Sequence, residues 1–324
     1  MEISVVDQSP IFTNTNADQA IKDSVELAQY SDQIGLKRFW LAEHHGSNSF
    51  AGCSPEILIP RIASSTKNIR VGSGGVMLMH YSPYKVAENF RLLESMFPRR
   101  IDLGLGRAPG SDPFQAGALA YGSKTTGPEF FPTKMNDLRS FLSNQTPETK
   151  SFENVNVTPG LGDVPDTWLL VSSEQGADYA SFFGLPMSLA YFINQDCLHL
   201  AKPYRENFQK SIFGDSPQVS VAVFAICAET NEEANLLASS ASIWRENASK
   251  GIFGPFPTIE EATKKIKDKD KEEGKSIVGD QKYVEGHLMK ILEETNADEL
   301  KIITICESMS SKKESYRLIK EIFS

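Results

Sequence analysis

The chain has 324 residues, of which 40% are apolar and 23% charged, with a net charge of −9 at neutral pH. Those proportions are ordinary for a folded protein with a large core. The acidic balance argues against a nucleic-acid partner, which needs clustered Lys and Arg, and no run of roughly 18 apolar residues is present to span a membrane.

Apolar runs alternate with helical patterns from end to end. ISVVD (residues 3–7) reads as the first strand, without the basic region of a targeting segment, so the expected compartment is the cytoplasm. A helical pattern over 17–34 follows and is closed by Gly35. RFWLAE (38–43) is the second strand, and 55–65 a helix with Pro55 at its first position. IRVGSGGVML (69–78) leads to a helix over 84–96, and RIDLGLG (100–106) to an irregular stretch over 107–127 and a helix over 129–143.

WLLVSS (168–173) precedes a helix over 175–183, and PMSLAYF (186–192) one over 196–212. VSVAVFAIC (219–227) precedes a helix over 231–247. A helix over 281–294, the strand ELKIITI (299–305) and a helix over 313–323 complete the chain.

Eight largely unbroken apolar strands, each followed by a helix, suit parallel strands covered on both faces. The expected fold is a closed (β/α)8 TIM barrel, one domain over 1–324 with insertions at the C-terminal face. A doubly wound open sheet is the rival. Two stretches exceed a minimal barrel: 144–166, and 248–279 with its GIFGPFP and KKIKDKDKEEGK. The second is a candidate lid or a solvated helix with frayed ends. The four cysteines, 53, 197, 227 and 306, are widely spaced and form no CxxC, so neither a metal site nor a disulfide framework is expected.

Barrel enzymes gather their chemistry at the C-terminal ends of strands. The second strand ends in Glu43, His44 and His45. Neighbouring residues on a strand face opposite ways, so one imidazole turns toward the mouth, either for acid–base work or tied to a carboxylate for stability. The third strand ends in GSGG, where Gly74 and Gly75 leave room for a flat ligand or make a tight bend. The fourth ends in Gly106 and Arg107, a bare strand end followed by a cation suited to phosphate or to a rim carboxylate. After the fifth strand, Ser172, Ser173 and Gly176 open a helix. Ser172 and Gln175 have capping-box spacing, and the free N–H groups there also suit an anion.

With these residues in view, the chain resembles the bacterial luciferase-like, flavin-dependent monooxygenases. AEHH, GSGGVML, KVAENFRLLESMFPRRIDLGLGRAPG, GLPMSLAYF and NADELKIIT carry the resemblance, in order and over nearly the full length. It implies a TIM barrel that uses reduced FMN and O2 to oxygenate a small, apolar substrate such as an aldehyde. It also implies a non-proline cis peptide at Gly74–Gly75 under the flavin ring, phosphate contacts from Arg107 and the loop Ser172, Ser173 and Gly176, and Gly106 among the cofactor-binding residues. His44 takes the place of the family's catalytic histidine. A homodimer and a flavin reductase as supplier are further implications.

Such sequences often supply a second Arg after the fourth strand, whereas 111–127 contains none and Lys124 is its only basic residue. Weak phosphate binding, or a diffusible flavin, follows from that departure. A non-catalytic flavin-binding or storage subunit, and a deazaflavin-dependent relative, are the alternatives.

Overall fold

The computed structural model describes residues 1–108, 112–160, 162–265 and 276–324. The strands are β1 (Glu2–Asp7), β2 (Arg38–Leu41), β3 (Arg70–Met77), β4 (Ile101–Gly106), β5 (Asp166–Val171), β6 (Met187–Ala190), β7 (Val219–Cys227), β8 (Ser276–Gly279) and β9 (Glu299–Ile303). All pairings between them are parallel. β1 to β7 follow one another in order, β7 pairs with β9, and β9 returns to β1, so eight strands close a barrel. The open-sheet rival is therefore excluded.

The helices are α1 (Ala17–Gln33), α2 (Pro55–Ser65), α3 (Pro83–Met96), α4 (Pro113–Ala120), α5 (Phe131–Ser143), α6 (Glu174–Phe183), α7 (Ala201–Asn207), α8 (Asn231–Ser249), α9 (Ile259–Lys265), α10 (Gln281–Thr295) and α11 (Met309–Ile322). No described helix is long and apolar enough to cross a membrane. Local chemistry fixes several ends. The Asn16 side chain accepts from the Gln19 N–H to start α1, and Gly35, at φ +73°, follows its end.

Three elements differ from expectation. The stretch 107–127 contains α4, an Ala-rich helix with no buried residue, so no burial pattern marks it. The helix expected over 196–212 is a 3-10 turn, Gln195–Leu200, followed by the short α7. Pro203 explains this, because an α-helix accepts proline without loss only in its first turn. The stretch 248–279 contains α9 and β8. β8 is only four residues long and forms by adding to the C-terminal half of β7, Phe224 opposite Ser276 and Cys227 opposite Gly279. That pairing is tertiary and leaves no local pattern. Residues 266–275 of the candidate lid lie outside the described residues, as do 109–111 of the irregular stretch.

Strand alternation splits the core in two. Phe39, Leu41, Leu103, Leu105, Leu169 and Val171 face the helices, while Val6, Trp40, Trp168 and Ile303 fill the barrel interior. Below those tryptophans lies a buried ionic network. Arg38 holds both oxygens of Asp102 at 2.8 and 2.9 Å and donates from Nε to Glu299 at 3.0 Å. Arg70 Nε and Trp40 Nε1 also donate to Asp102, each at 2.8 Å.

Lys301 contacts Ser220 and Glu299, and its ammonium lies 4.1 and 4.2 Å from the Trp40 and Trp168 ring centroids. Burial works against the Asp102 carboxylate, yet Arg38 and Arg70 hold its pKa below the usual value. Burial outweighs Glu299 at Lys301 and brings its pKa down to about 8.

Candidate active site

Four consecutive strand ends, β2 to β5, bring the sequence-predicted residues to one arc of the C-terminal mouth. β2 ends at Leu41, two residues short of expectation. The chain then runs on without ladder pairing beyond Ala42, whose N–H donates to Asp7 O at 2.9 Å, while His44 N–H donates to Gly52 O at 2.9 Å. The two histidines part. His44 stacks on Phe50, ring centroids 4.3 Å apart and planes 22° from parallel. His45 joins Glu43, Nε2 to Oε1 at 2.7 Å. Burial, aided by the neighbouring His45, pushes the His44 pKa down to about 4, and its Nδ1 is buried with no hydrogen-bond partner. The ring is therefore neutral at pH 7 with one nitrogen uncommitted.

The Gly74–Gly75 peptide is cis, and the β3–β4 register shifts between Gly74 and Val76. A Cβ on Gly75 would lie 2.7 Å from Gly104 O, so packing alone demands a glycine there. Gly106 differs. The nearest atom to a Cβ there is Val76 O at 3.8 Å, so nothing in the described chain excludes a side chain. This strand end is open as well as bare.

Arg107 crosses from β4 to the start of α6. Its Nη1 donates to Gln175 Oε1 and its Nη2 to Ser173 Oγ, each at 2.8 Å. The guanidinium also lies over Phe131 and Tyr179, at 5.8 and 5.4 Å. The cap is Ser173, whose side chain accepts from Gly176 N–H, rather than the Ser172–Gln175 box expected from spacing. Gln175 is instead committed to Arg107. Ser172 contributes its carbonyl to Asn194 Nδ2 at 2.9 Å. A Cβ on Gly176 would reach 3.1 Å from Val171 and 3.4 Å from Arg107 Nη2, so the glycine lets the cation lie close. No carboxylate among the described residues bridges Arg107, whose side-chain partners are Gln175 and Ser173, and burial lowers its pKa. An unbridged cation beside a positive helix end is an arrangement that an anion stabilises.

The cover over this mouth draws Gly254 and Phe256 from the candidate lid, whereas its partners Phe50 and Trp244 were not expected from the sequence. Trp244 on α8 stacks on Phe256 at 4.8 Å and meets Phe50 edge-on at 5.5 Å. Its Nε1 donates to Ser49 Oγ and Gly254 O, both at 3.0 Å. Phe192 and Phe224 stand beside them, with Arg245 5.5 Å above Phe224. Phe256 is tied by backbone bonds to Ile11 (2.7 Å) and Thr13 (2.9 Å), and Glu307 accepts from the Ile259 N–H at 2.7 Å. Residues 254–259 are thus fastened to loops following β1, β2 and β9. Aromatic positions this far apart in sequence carry no joint pattern.

A family model described as luciferase-like monooxygenase matches residues 1–289. The Bacillus subtilis protein YwcH is 39% identical over 331 residues, covering 100% of this chain and 99% of its own. The N-acetyl-S-alkylcysteine monooxygenase of the same organism is 37% identical over 235 residues, 72% of this chain and 70% of that protein. The crystal structure of apo-MsnO8 superposes with a TM-score of 0.89 at 33% identity, over 99% of this chain and 98% of that one.

Proposed function

The chain belongs to the luciferase-like monooxygenase family, and from that premise we propose that it uses reduced FMN and O2 to oxygenate a small, apolar substrate such as an aldehyde. The observation that carries the cofactor reading is the unbridged Arg107 at the α6 N-terminus, beside the open strand end at Gly106. These residues fit a flavin mononucleotide. Arg107, Ser173 and the N–H groups near Gly176 would hold the phosphate, and the bare ends of β3 and β4 would take the planar ring. Reduced FMN would supply the electrons that activate O2, one oxygen atom passing to substrate and the other to water.

The chain's own residues do the rest. Phe50, Phe192, Phe224, Trp244 and Phe256 exclude water and favour an apolar substrate. The His44 ring, stacked on Phe50 at the mouth, gives or takes a proton at the reacting edge. Of the candidate lid, residues 254–259 are fastened over the mouth and close it. The missing second Arg fits a flavin that diffuses in from a reductase, since Lys124 is the only basic residue in 112–127.

Replacing Arg107 with Met should weaken reduced-FMN binding by about 10–100-fold, roughly 1.5–3 kcal/mol for one charged contact. Affinity for reduced riboflavin, which lacks the phosphate, should stay nearly unchanged. Anaerobic titration of both flavins measures this, and equal losses for the two would remove the phosphate site. Turnover of an aldehyde panel with photoreduced FMN under air tests the reaction; flavin binding without any oxygenated product would favour a storage role.

A cytoplasmic homodimer is part of the proposal. Ile57 on α2 and Leu92 and Met96 on α3 are 72%, 53% and 52% exposed, apolar area on the helices that flank β2 and β3. Paired Ile57→Glu and Met96→Glu changes should halve the mass seen by light scattering; an unaltered mass places the interface elsewhere.

A further inference from the structure

Glu43 lies at the end of β2 and is 3% exposed, yet three donors converge on it. Its Oε1 accepts from Tyr81 OH at 2.6 Å and from His45 Nε2 at 2.7 Å, and its Oε2 accepts from the Met77 N–H at 3.1 Å. Tyr81 OH also approaches His45 Nε2 at 3.3 Å. Tyr81 is fixed in turn, because Lys134 on α5 donates to the carbonyls of Met79 and Tyr81 at 2.8 and 3.0 Å. Burial and the bond to Glu43 both raise the Tyr81 pKa, which keeps its hydroxyl a donor.

We propose that Glu43 and His45 form a clasp that positions His44 and the end of the glycine strand together. The proposal rests on the reading of His44 as the proton-handling group. Glu43 and His45 flank His44 in the chain and are joined to each other on one side of it. The intervening ring is thereby turned to the other side, where it stacks on Phe50 at the mouth. The second oxygen of the same carboxylate holds Met77, two residues beyond the Gly74–Gly75 peptide. One buried group thus fixes the spacing between imidazole and floor. Small misplacements of reacting groups are costly, so the clasp belongs to the catalytic geometry without touching substrate.

The bland alternative is a stabilising contact that merely holds the loop over 42–52. The two separate in variants of His45, which is partly accessible. His45→Leu and His45→Gln both remove the imidazole, but only Gln keeps a donor for Glu43. The titratable groups around the clasp are Glu43, Tyr81, Glu56 on α2 and Cys53, and His45 is the one that bears on His44. Two readouts apply: the titration of the His44 ring by NMR, which needs no turnover, and kcat against KM for flavin.

In His45→Leu, kcat should fall by about 10–100-fold with KM for flavin little changed, and the His44 ring should titrate nearer its ordinary range as it leaves the Phe50 stack. His45→Gln should rescue both. Glu43→Gln, whose amide NH2 must face either the Met77 N–H or the Tyr81–His45 side and so gives up part of the clasp, should behave like His45→Leu. If the Leu and Gln variants of His45 match in both readouts, the clasp has no positioning role. If the wild-type protein shows no oxygenation at all, the His44 titration still decides the matter, so failure of the clasp and failure of the monooxygenase reading stay distinct.

Discussion

Changing His44 to Ala should lower turnover by about 10²–10⁴-fold, the usual worth of a positioned acid or base, while reduced-FMN affinity changes far less. His44 reaches the mouth through its stack on Phe50, whereas the proposed phosphate contacts come from β4 and α6, so the two losses are separable. Rapid mixing with photoreduced FMN and O2, with flavin affinity titrated in parallel, checks both. A variant that keeps wild-type turnover removes His44 from the chemistry.

The same residue predicts a pH effect on stability. Its pKa is about 4 in the fold, against an ordinary value of 6.5. Between those values the unfolded chain binds the proton and the native one does not. Its contribution to stability is therefore complete above about pH 6.5 and is lost as pH falls toward 4. His44→Phe should flatten that part of the stability profile, as read from denaturation midpoints at a series of pH values. An unchanged slope would mean that the imidazole is not held neutral.

The second large effect concerns the barrel interior. Asp102→Ala should cost about 3–5 kcal/mol, the range for breaking a buried ion pair by removing one partner. Arg38 would keep Glu299 but lose its two-oxygen partner, and Arg70 and Trp40 would each lose an acceptor. The cost arises mainly from losing the one carboxylate that Arg38, Arg70 and Trp40 share, a loss that Glu299 and the half-exposed Asp166 offset only in part. Urea midpoints at constant slope measure it. Pairing Asp102→Leu with Arg38→Met should recover part of the loss, since a buried pair replaced by apolar groups is often neutral. A loss below about 1 kcal/mol, the scale of a surface pair, would show that the network is solvated.

What the sequence disclosed follows the range of the interactions involved. Strand and helix placement depends on periodicity within a dozen residues, so α2 and β7 begin and end where the pattern puts them. The strand-end rule then brought His44, Gly74, Gly75, Gly106, Arg107, Ser173 and Gly176 to one face, because connectivity alone dictates it once the barrel closes. β8 was hidden because four residues gain their identity from an edge of β7 far back in the chain. The candidate lid was legible as a long connection, but its meeting with Phe50 and Trp244 was hidden for the same reason. The ionic network did leave a trace: Arg38 and Glu299 open apolar runs, and Asp102 and Lys301 interrupt them. Only the fold brings these four charges together.

That meeting has a kinetic consequence. Trp40 and Trp168, with Lys301 between them, fill the barrel beneath the glycine strand ends, and all three are essentially inaccessible. The mouth is a cul-de-sac. A molecule held at this mouth therefore enters and leaves on the side of the strand ends, since the packed interior offers no passage through the barrel.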